Sequence, residues 1–164
     1  MRAFGRDPLA DPEVLIRRVY AYVAYRLGDG PDAEDVTSDV FERALRYRES
    51  YDRQKGEPIA WLLGIARRCM FDAAADRQNP APSPPQPAAV EIDEPAIRRL
   101  ALRAAVTKLD ERDQELIALR YGADLTARQI GDVLGERTNS VEVALHRALA
   151  RLRTELERGS ESPP

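Results

Sequence analysis

The feature that most limits how this chain can fold is a proline-rich interruption near its middle. From Gln78 to Glu94 prolines dominate the first half and acidic residues the end, with no helical pattern of apolar residues. Such a segment buries too little apolar surface to fold alone, and proline favours extended chain. Helical patterns flank it on both sides. The sequence therefore predicts an all-α protein of two small helical domains, 8–77 and 95–157, joined by a flexible Pro-rich acidic linker, 78–94.

The first domain is expected to contain three helices. The first opens at Pro12 and stops near Gly28, and its inward face is Leu15, Val19, Tyr22 and Val23. The second begins around Asp32, with the expected inward residues Val36, Val40, Ala44 and Leu45. A loop from about Glu49 to Pro58 precedes the third. Apolar residues crowd much of that helix, as in the centre of a bundle; they are Ile59, Leu62, Leu63, Ile65, Ala66 and Met70.

The last third of the chain has the pattern of a helix-turn-helix. Thr126 and Gln129 are spaced to form a capping box, and Gly135 suits the left-handed residue that ends a short helix. A longer helix then begins near Thr138 or Asn139, with the expected buried stripe Val141, Leu145, Ala148, Leu149, Leu152 and Leu156. This layout is typical of DNA-reading motifs, although a generic helical hairpin has the same outline.

Composition narrows the function classes. The chain has 25 Lys and Arg against 28 Asp and Glu, for a net charge of -3, so nucleic-acid contact requires local basic surface. The single cysteine, Cys69, and the single histidine, His146, exclude a disulfide framework or a Cys/His zinc site built within this chain. We interpret Cys69 as a small buried hydrophobe. Without a signal-peptide pattern or an apolar run of membrane-spanning length, a cytoplasmic location without membrane contact is expected.

No catalytic constellation is visible in the sequence. A glycine-rich phosphate loop of the required spacing, a metal-ligand set and a base for a serine nucleophile beyond His146 are all missing. We therefore expect a non-enzymatic factor with no cofactor, no metal and no small-molecule substrate.

Four motifs in a fixed order connect the chain to a known family. They are an acidic Asp-Ala-Glu-Asp-Val at 32–36, a Trp-Leu-x-x-Ile-Ala-Arg pattern at 61–67, the linker, and Leu-His-Arg-Ala at 145–148. Together they resemble the extracytoplasmic-function (ECF) sigma factors of bacterial RNA polymerase, in the sigma-70 family. Each motif alone is weak, but their order and separations are specific. The resemblance covers nearly everything from Glu13 to Leu156.

For the first domain the resemblance implies two roles. It would dock on a coiled coil of the largest polymerase subunit through acidic residues of the second helix, namely Asp32, Glu34, Asp35 and Asp39. Capping of that helix is the plainer interpretation of these acids, and it is compatible with docking. The domain would also melt the minus-ten promoter element, with a flipped base captured before the tryptophan helix. The implied minus-ten residues are Tyr51, Arg53, Lys55, Trp61, Arg67 and Arg68, of which Tyr51 and Trp61 are either stacking surfaces or core.

For the second domain the resemblance implies reading of the minus-thirty-five element. Its long helix would enter the major groove, and the implied DNA-binding residues are Thr126, Arg128, Asn139, Ser140, Glu142, Val143, His146, Arg147 and Arg151. The linker would run through the polymerase, where Glu91, Asp93 and Glu94 imitate nucleic acid. The expected partners are bacterial core RNA polymerase and promoter DNA, with an anti-sigma factor as a further candidate.

Two residues depart from the family pattern. Glu142 stands where relatives usually carry lysine or arginine, and Ala144 stands where arginine is frequent. Glu142 would either cap the helix with Asn139, which we favour, or accept a hydrogen bond from a cytosine amino group. Binding to duplex DNA without polymerase should therefore be weak. The alternative is a sigma-like interaction protein that binds polymerase or a regulator without reading promoters, and a third hypothesis is an ordinary helix-turn-helix repressor.

Overall fold

The computed structural model describes residues 7–77 and 93–161, which form helices joined by short turns. The elements are α1 (Pro12–Leu27), α2 (Pro31–Arg46), α3 (Pro58–Arg77), α4 (Glu94–Thr107), α5 (Glu111–Ile117), a π-helical turn (Ala118–Gly122), α6 (Ala127–Leu134) and α7 (Thr138–Glu161). Within those ranges no strand occurs, and the predicted all-α fold with a helix-turn-helix near its end is confirmed. Most of the predicted linker, including Glu91, lies outside the described residues, whereas Asp93 and Glu94 start α4.

The helices begin and end at residues that favour helix termini. Pro12 and Pro31 stand at the first positions of α1 and α2, where a missing N–H costs nothing. Gly28, with φ of 89°, ends α1. The carboxylates of Asp93 and Asp110 accept backbone N–H hydrogen bonds of 2.9 and 2.8 Å at the starts of α4 and α5. Asp93 therefore serves the structure as a helix cap.

The first three helices bury the faces that their patterns predict, with one exception. The predicted α1 residues are all buried, as are Val36, Val40 and Ala44 of α2. Leu45 is the error, because its side chain is 61% exposed. It follows Ala44 by one residue, and a single helical step turns the side chain off the stripe at 36, 40 and 44. On α3, Cys69 is buried as expected, and burial raises the pKa of its thiol.

The helix-turn-helix has the predicted capping geometry. The backbone N–H of Gln129 donates to the Thr126 hydroxyl oxygen at 3.2 Å, and the Thr126 N–H donates to the Gln129 side-chain oxygen at 2.9 Å. Gly135 is left-handed with φ of 70°. The turn is close enough that a Cβ on Gly131 would lie 2.6 Å from the Glu136 carbonyl oxygen. These contacts confirm the capping box and the glycine end of α6.

The long helix α7 packs through the predicted stripe. Val141, Leu145, Ala148 and Leu152 are buried, while Leu149 and Leu156 are half-buried. The stripe continues into a cluster shared with α4 and α5, formed by Ala105, Val106, Leu109, Ile117, Ala148 and Leu152. The exposed face of α7 is thus held in place by apolar packing along its opposite side.

The two helical halves also pack on one another. A single apolar cluster joins buried residues of the first half, such as Val19 and Tyr22, with Leu116, Leu119 and Ile130 of the second. The contact is centred on α1 and the π-helical turn. Nothing in the local sequence patterns predicts this packing.

None of the helices in the described ranges combines the length and the apolar character that a bilayer span requires.

Candidate polymerase-binding and promoter-binding surfaces

The predicted docking acids are all exposed on α2 but do not share one side. Asp32 and Glu34 lie in the first turn, where the helix dipole favours negative charge. Asp32 also forms an ion pair with Arg77 at 2.9 Å. Asp35 and Asp39 lie beyond the first turn, and among residues 7–77 and 93–161 neither has an ion-pair partner. The helix dipole therefore accounts for the first two acids and leaves the other two unexplained.

Spacing groups three of these acids together. Asp32, Asp35 and Asp39 follow one another at three- and four-residue steps, which aligns them along α2. Glu34 falls outside that row. All three aligned residues are exposed beside the buried stripe that contains Val36. We call Asp32, Asp35 and Asp39 the acidic row.

The loop before α3 is built around two aromatic rings. The Tyr51 hydroxyl donates a hydrogen bond to the Gly56 carbonyl oxygen at 3.0 Å. Its ring lies 5.5 Å from that of Trp61, with an interplanar angle of 58°. Both side chains are half-buried, and burial raises the pKa of Tyr51. Tyr51 therefore stabilises the loop and packs against Trp61, as the interpretation of these two residues as core predicts. Their role as stacking surfaces for bases stays a prediction.

An open cleft of about 370 Å³ lies beside Trp61. It is lined by Arg43, Tyr47, Ser50, Trp61, Ile65 and Arg68. The Arg43 guanidinium is held by Asp72 at 2.9 Å. Aromatic faces beside guanidinium groups offer stacking surfaces for bases and donors for phosphate. We call these six residues the aromatic cleft.

Sequence reasoning missed Arg43 and Tyr47 in this cleft. They lie four residues apart at the end of α2, so they share a face. An arginine and a tyrosine at this spacing, next to the loop already singled out, were the available signal. The prediction omitted both residues because it considered only the loop and α3.

The other predicted minus-ten residues do not all join the aromatic cleft. Arg53 and Lys55 are exposed in a short 3₁₀ turn whose start is capped by Asp52. Arg67 points towards the second half of the chain, where its Nε lies 3.3 Å from a Glu115 carboxylate oxygen. Only Trp61 and Arg68 of the six predicted residues line the cleft itself.

The exposed face of α7 carries most of the predicted minus-thirty-five residues, which are Asn139, Ser140, Glu142, Val143, His146, Arg147 and Arg151. Thr126 and Arg128 are exposed at the start of α6. Arg151 differs from the rest, because its guanidinium lies 2.7 Å from the carboxylate of Asp113, a side chain only 4% exposed. Arg151 therefore joins α7 to α5.

The favoured interpretation of Glu142 as a capping residue is wrong. Helix α7 begins at Thr138, so Asn139 already lies inside its first turn. No side-chain hydrogen bond in the described ranges joins Asn139 to Glu142. Glu142 instead faces an open cleft of about 430 Å³, which also contains Thr126 and His146.

Arg120 and Tyr121 of this second cleft were not predicted as site residues. The Arg120 guanidinium donates to the Leu125 carbonyl oxygen at 2.9 Å and lies 5.9 Å from the centre of the Tyr121 ring. Tyr121 is an exposed aromatic residue. Both belong to the π-helical turn, a local geometry that helical periodicity does not reveal.

Taken together, the described helices form a two-part all-α protein with a capped helix-turn-helix, an aromatic cleft and an acidic row. The Sigma-70 region 2 family profile matches residues 13–79, and the Sigma-70 region 4 profile matches residues 99–152. These two matches cover most of the described helices. The chain belongs to the ECF sigma factors of the sigma-70 family.

Individual relatives agree with the family match. The ECF RNA polymerase sigma factor BldN of Streptomyces coelicolor is 29% identical, over 92% of this chain and 59% of BldN, so the chain spans about three fifths of that relative. The ECF RNA polymerase sigma factor SigD of Mycobacterium tuberculosis is 30% identical, over 87% of this chain and 72% of SigD. The sigma factor RpoE of Bartonella quintana, solved in complex with the anti-sigma factor NepR, has the same fold, with a TM-score of 0.66, 18% identity, and coverage of 88% of this chain and 92% of RpoE.

The two arginines Arg147 and Arg151 should respond differently to truncation. Arg151→Ala removes the cation beside a buried carboxylate, so we expect a lower urea midpoint of unfolding. Arg147→Ala, at an exposed position on the same helix, should leave the midpoint within error of wild type. Circular dichroism during urea titration measures both. Equal midpoints for the two variants would contradict the assignment of Arg151 to the fold.

Proposed function

We propose that this chain is a promoter-specific transcription initiation factor, which binds core RNA polymerase and contacts the minus-ten and minus-thirty-five elements. The observation that carries the proposal is the presence of the acidic row, the aromatic cleft and the exposed face of α7 as separate surfaces of one chain. The family match and the curated relatives support it. The chemistry of transcription belongs to the polymerase, and this chain supplies recognition.

Polymerase binding is assigned to the acidic row. Asp35 and Asp39 are charges that the fold does not use, so they are available to a basic partner without loss of internal contacts. Charged surfaces of this kind steer association and set orientation more than they add affinity. Under this proposal the partner surface is a coiled coil of the largest polymerase subunit, whose basic residues would face the acidic row.

Minus-ten contact is assigned to the aromatic cleft and the loop beside it. A base displaced from the duplex needs a ring to stack on and a cation for its phosphate. Trp61 and Tyr47 offer the rings, and Arg68 offers the cation. Arg53 and Lys55 extend the basic surface along the neighbouring turn.

Minus-thirty-five contact is assigned to the exposed face of α7. Asn139 and Ser140 lie in the first turn, where base edges are met by a helix that enters the major groove. Glu142 is free to accept a hydrogen bond from a cytosine amino group. Arg147 and Arg128 are exposed for contacts with phosphate. This assignment gives Glu142 a base-reading role in place of capping.

The same surfaces bear on a possible regulator and on a second candidate function. RpoE of Bartonella quintana was solved with an anti-sigma factor, and an anti-sigma factor is proposed as a regulator of this chain. The residues of α7 favour a second candidate function, because Glu142 is acidic, Ala144 is half-buried against the core and Arg151 is paired to Asp113. In that case the chain binds polymerase or a regulator and does not read promoters.

Reversal of charge in the acidic row tests polymerase binding. We expect Asp35→Arg to weaken binding to core RNA polymerase by about tenfold or more, since attraction is replaced by a repulsion of roughly 1–2 kcal/mol. Fluorescence anisotropy of the labelled chain titrated with core enzyme measures the affinity. Glu157→Arg makes the same charge change on an exposed part of α7 and should bind normally. Unchanged affinity for Asp35→Arg would remove the acidic row from the interface.

Removal of one arginine from α7 tests DNA contact. Arg147→Ala should weaken binding of the polymerase complex to promoter DNA and lower the slope of log affinity against log salt by about 0.9, the value for one lost phosphate contact. Arg158→Ala, near the end of the same helix and paired with Glu155, is the matched control. A wild-type slope for Arg147→Ala would show that this side of α7 does not face DNA.

A further inference from the structure

A cavity of about 250 Å³ lies between α1 and α4. Its walls are mainly apolar and aromatic, and they are formed by Tyr20, Ala21, Ala24, Tyr25, Leu102 and Val106. None of these residues belongs to the acidic row, the aromatic cleft or the exposed face of α7. An apolar protein cavity of ~150 Å³ holds a benzene molecule. The cavity between α1 and α4 therefore has room for one aromatic ring and a short chain.

Two arginines of α4 also line the cavity. Arg99 and Arg103 are four residues apart, so they share a face of the helix. The Arg103 guanidinium packs over the end of α1, where a Cβ added to Gly28 would lie 2.9 Å from its Nη2 atom. The missing side chain at Gly28 thus leaves the space that this guanidinium occupies.

The Arg103 guanidinium is incompletely paired. Its Nη2 lies 3.3 Å from a carboxylate oxygen of Asp29, but this buried nitrogen makes no hydrogen bond among the described residues. Most buried donors in proteins have an acceptor, and an unused donor costs free energy. The Asp29 side chain is itself 64% exposed, and its other oxygen accepts a long hydrogen bond of 3.5 Å from the Tyr20 hydroxyl. Arg103 therefore lies near an anion that does not satisfy it.

The charges that line the cavity favour an anion. Arg99 and Arg103 contribute two positive charges, and Asp29 is the single carboxylate among the lining residues. Arg99 is exposed and has no ion-pair partner within the described ranges. Guanidinium groups bind carboxylates through paired, charge-assisted hydrogen bonds. Positive groups beside an apolar interior match a molecule that carries a carboxylate at one end and a ring at the other.

We propose that this cavity is a binding site for a small aromatic monocarboxylate. The ring packs between the two tyrosines that line the cavity, where offset and tilted contacts between aromatic rings are favourable. The carboxylate accepts hydrogen bonds from Arg99 and Arg103, and it completes the pairing that Asp29 leaves unfinished. The site goes beyond polymerase and promoter contact, because it recognises a small molecule on a part of the chain to which neither role is assigned.

An NMR titration of the isotope-labelled full chain with hydrocinnamate, a phenyl ring on a short acid chain, tests the site. We expect saturable binding, with amide shifts concentrated at Ala21, Ala24 and Leu102. Hydrocinnamyl alcohol keeps the ring but lacks the charge, and it should bind about tenfold more weakly. Equal affinities for the acid and the alcohol, or shifts centred on Trp61 in the aromatic cleft, would overturn the proposal.

Replacement of the arginines tests the charged end of the site. Arg103→Gln should weaken hydrocinnamate binding by about tenfold, and Arg99→Gln should weaken it several-fold. Arg98→Gln is the matched control, because Arg98 is exposed on the same helix, paired with Glu94 and absent from the cavity lining. It should bind like wild type. The same affinity for all three variants would show that these arginines do not hold the carboxylate.

A variant with increased affinity keeps the test decisive if Arg103→Gln fails to fold. Asp29→Asn removes the carboxylate that competes for Arg103, so it should tighten hydrocinnamate binding several-fold. Glu13→Gln removes an exposed carboxylate of α1 that is paired with Arg17, and as the matched control it should bind like wild type. An Asp29→Asn chain that binds no more tightly than wild type would contradict the assignment of the ligand carboxylate to Arg103.

Discussion

The close approach of α1 to the π-helical turn is the contact on which the arrangement of the whole chain depends. It brings Tyr22 against Gly122 and places Glu115 within reach of arginines from two helices of the other half. A largely buried carboxylate is costly unless donors surround it. Apolar packing and paired charge therefore act at the same place, and the loss of either weakens both.

The three exposed surfaces differ in how they relate to this contact. The acidic row is exposed on α2, and none of its residues contacts Glu115 among the ion pairs of the described ranges. The aromatic cleft is open, although Arg67 beside it is engaged by Glu115. The face of α7 is also exposed. Contact between the two halves therefore leaves the acidic row and the face of α7 exposed.

Local sequence patterns predicted much of this fold, because caps, turns and helical stripes are short-range features. The Thr126 and Gln129 capping box and the left-handed Gly135 both occur as expected. Errors arose where a neighbouring position or a distant partner decides the outcome. Leu45 is the error of the first kind, because it lies one step from its stripe. The pairing of Arg151 with Asp113, 38 residues earlier in the chain, was not predicted because it depends on a distant partner. Glu115 meets Tyr22, Arg26 and Arg67, and no local period relates these residues, so sequence reasoning could not find the contact.

Footprinting on promoter DNA tests the central claim most directly. Core RNA polymerase reconstituted with this chain should yield transcripts that neither component yields alone, from a library of genome-derived promoters. On a promoter selected in this way, the complex should protect both the minus-ten and the minus-thirty-five elements from cleavage. Association with polymerase without transcripts, and without protection at either element, would contradict the account and favour a sigma-like binder that does not read promoters.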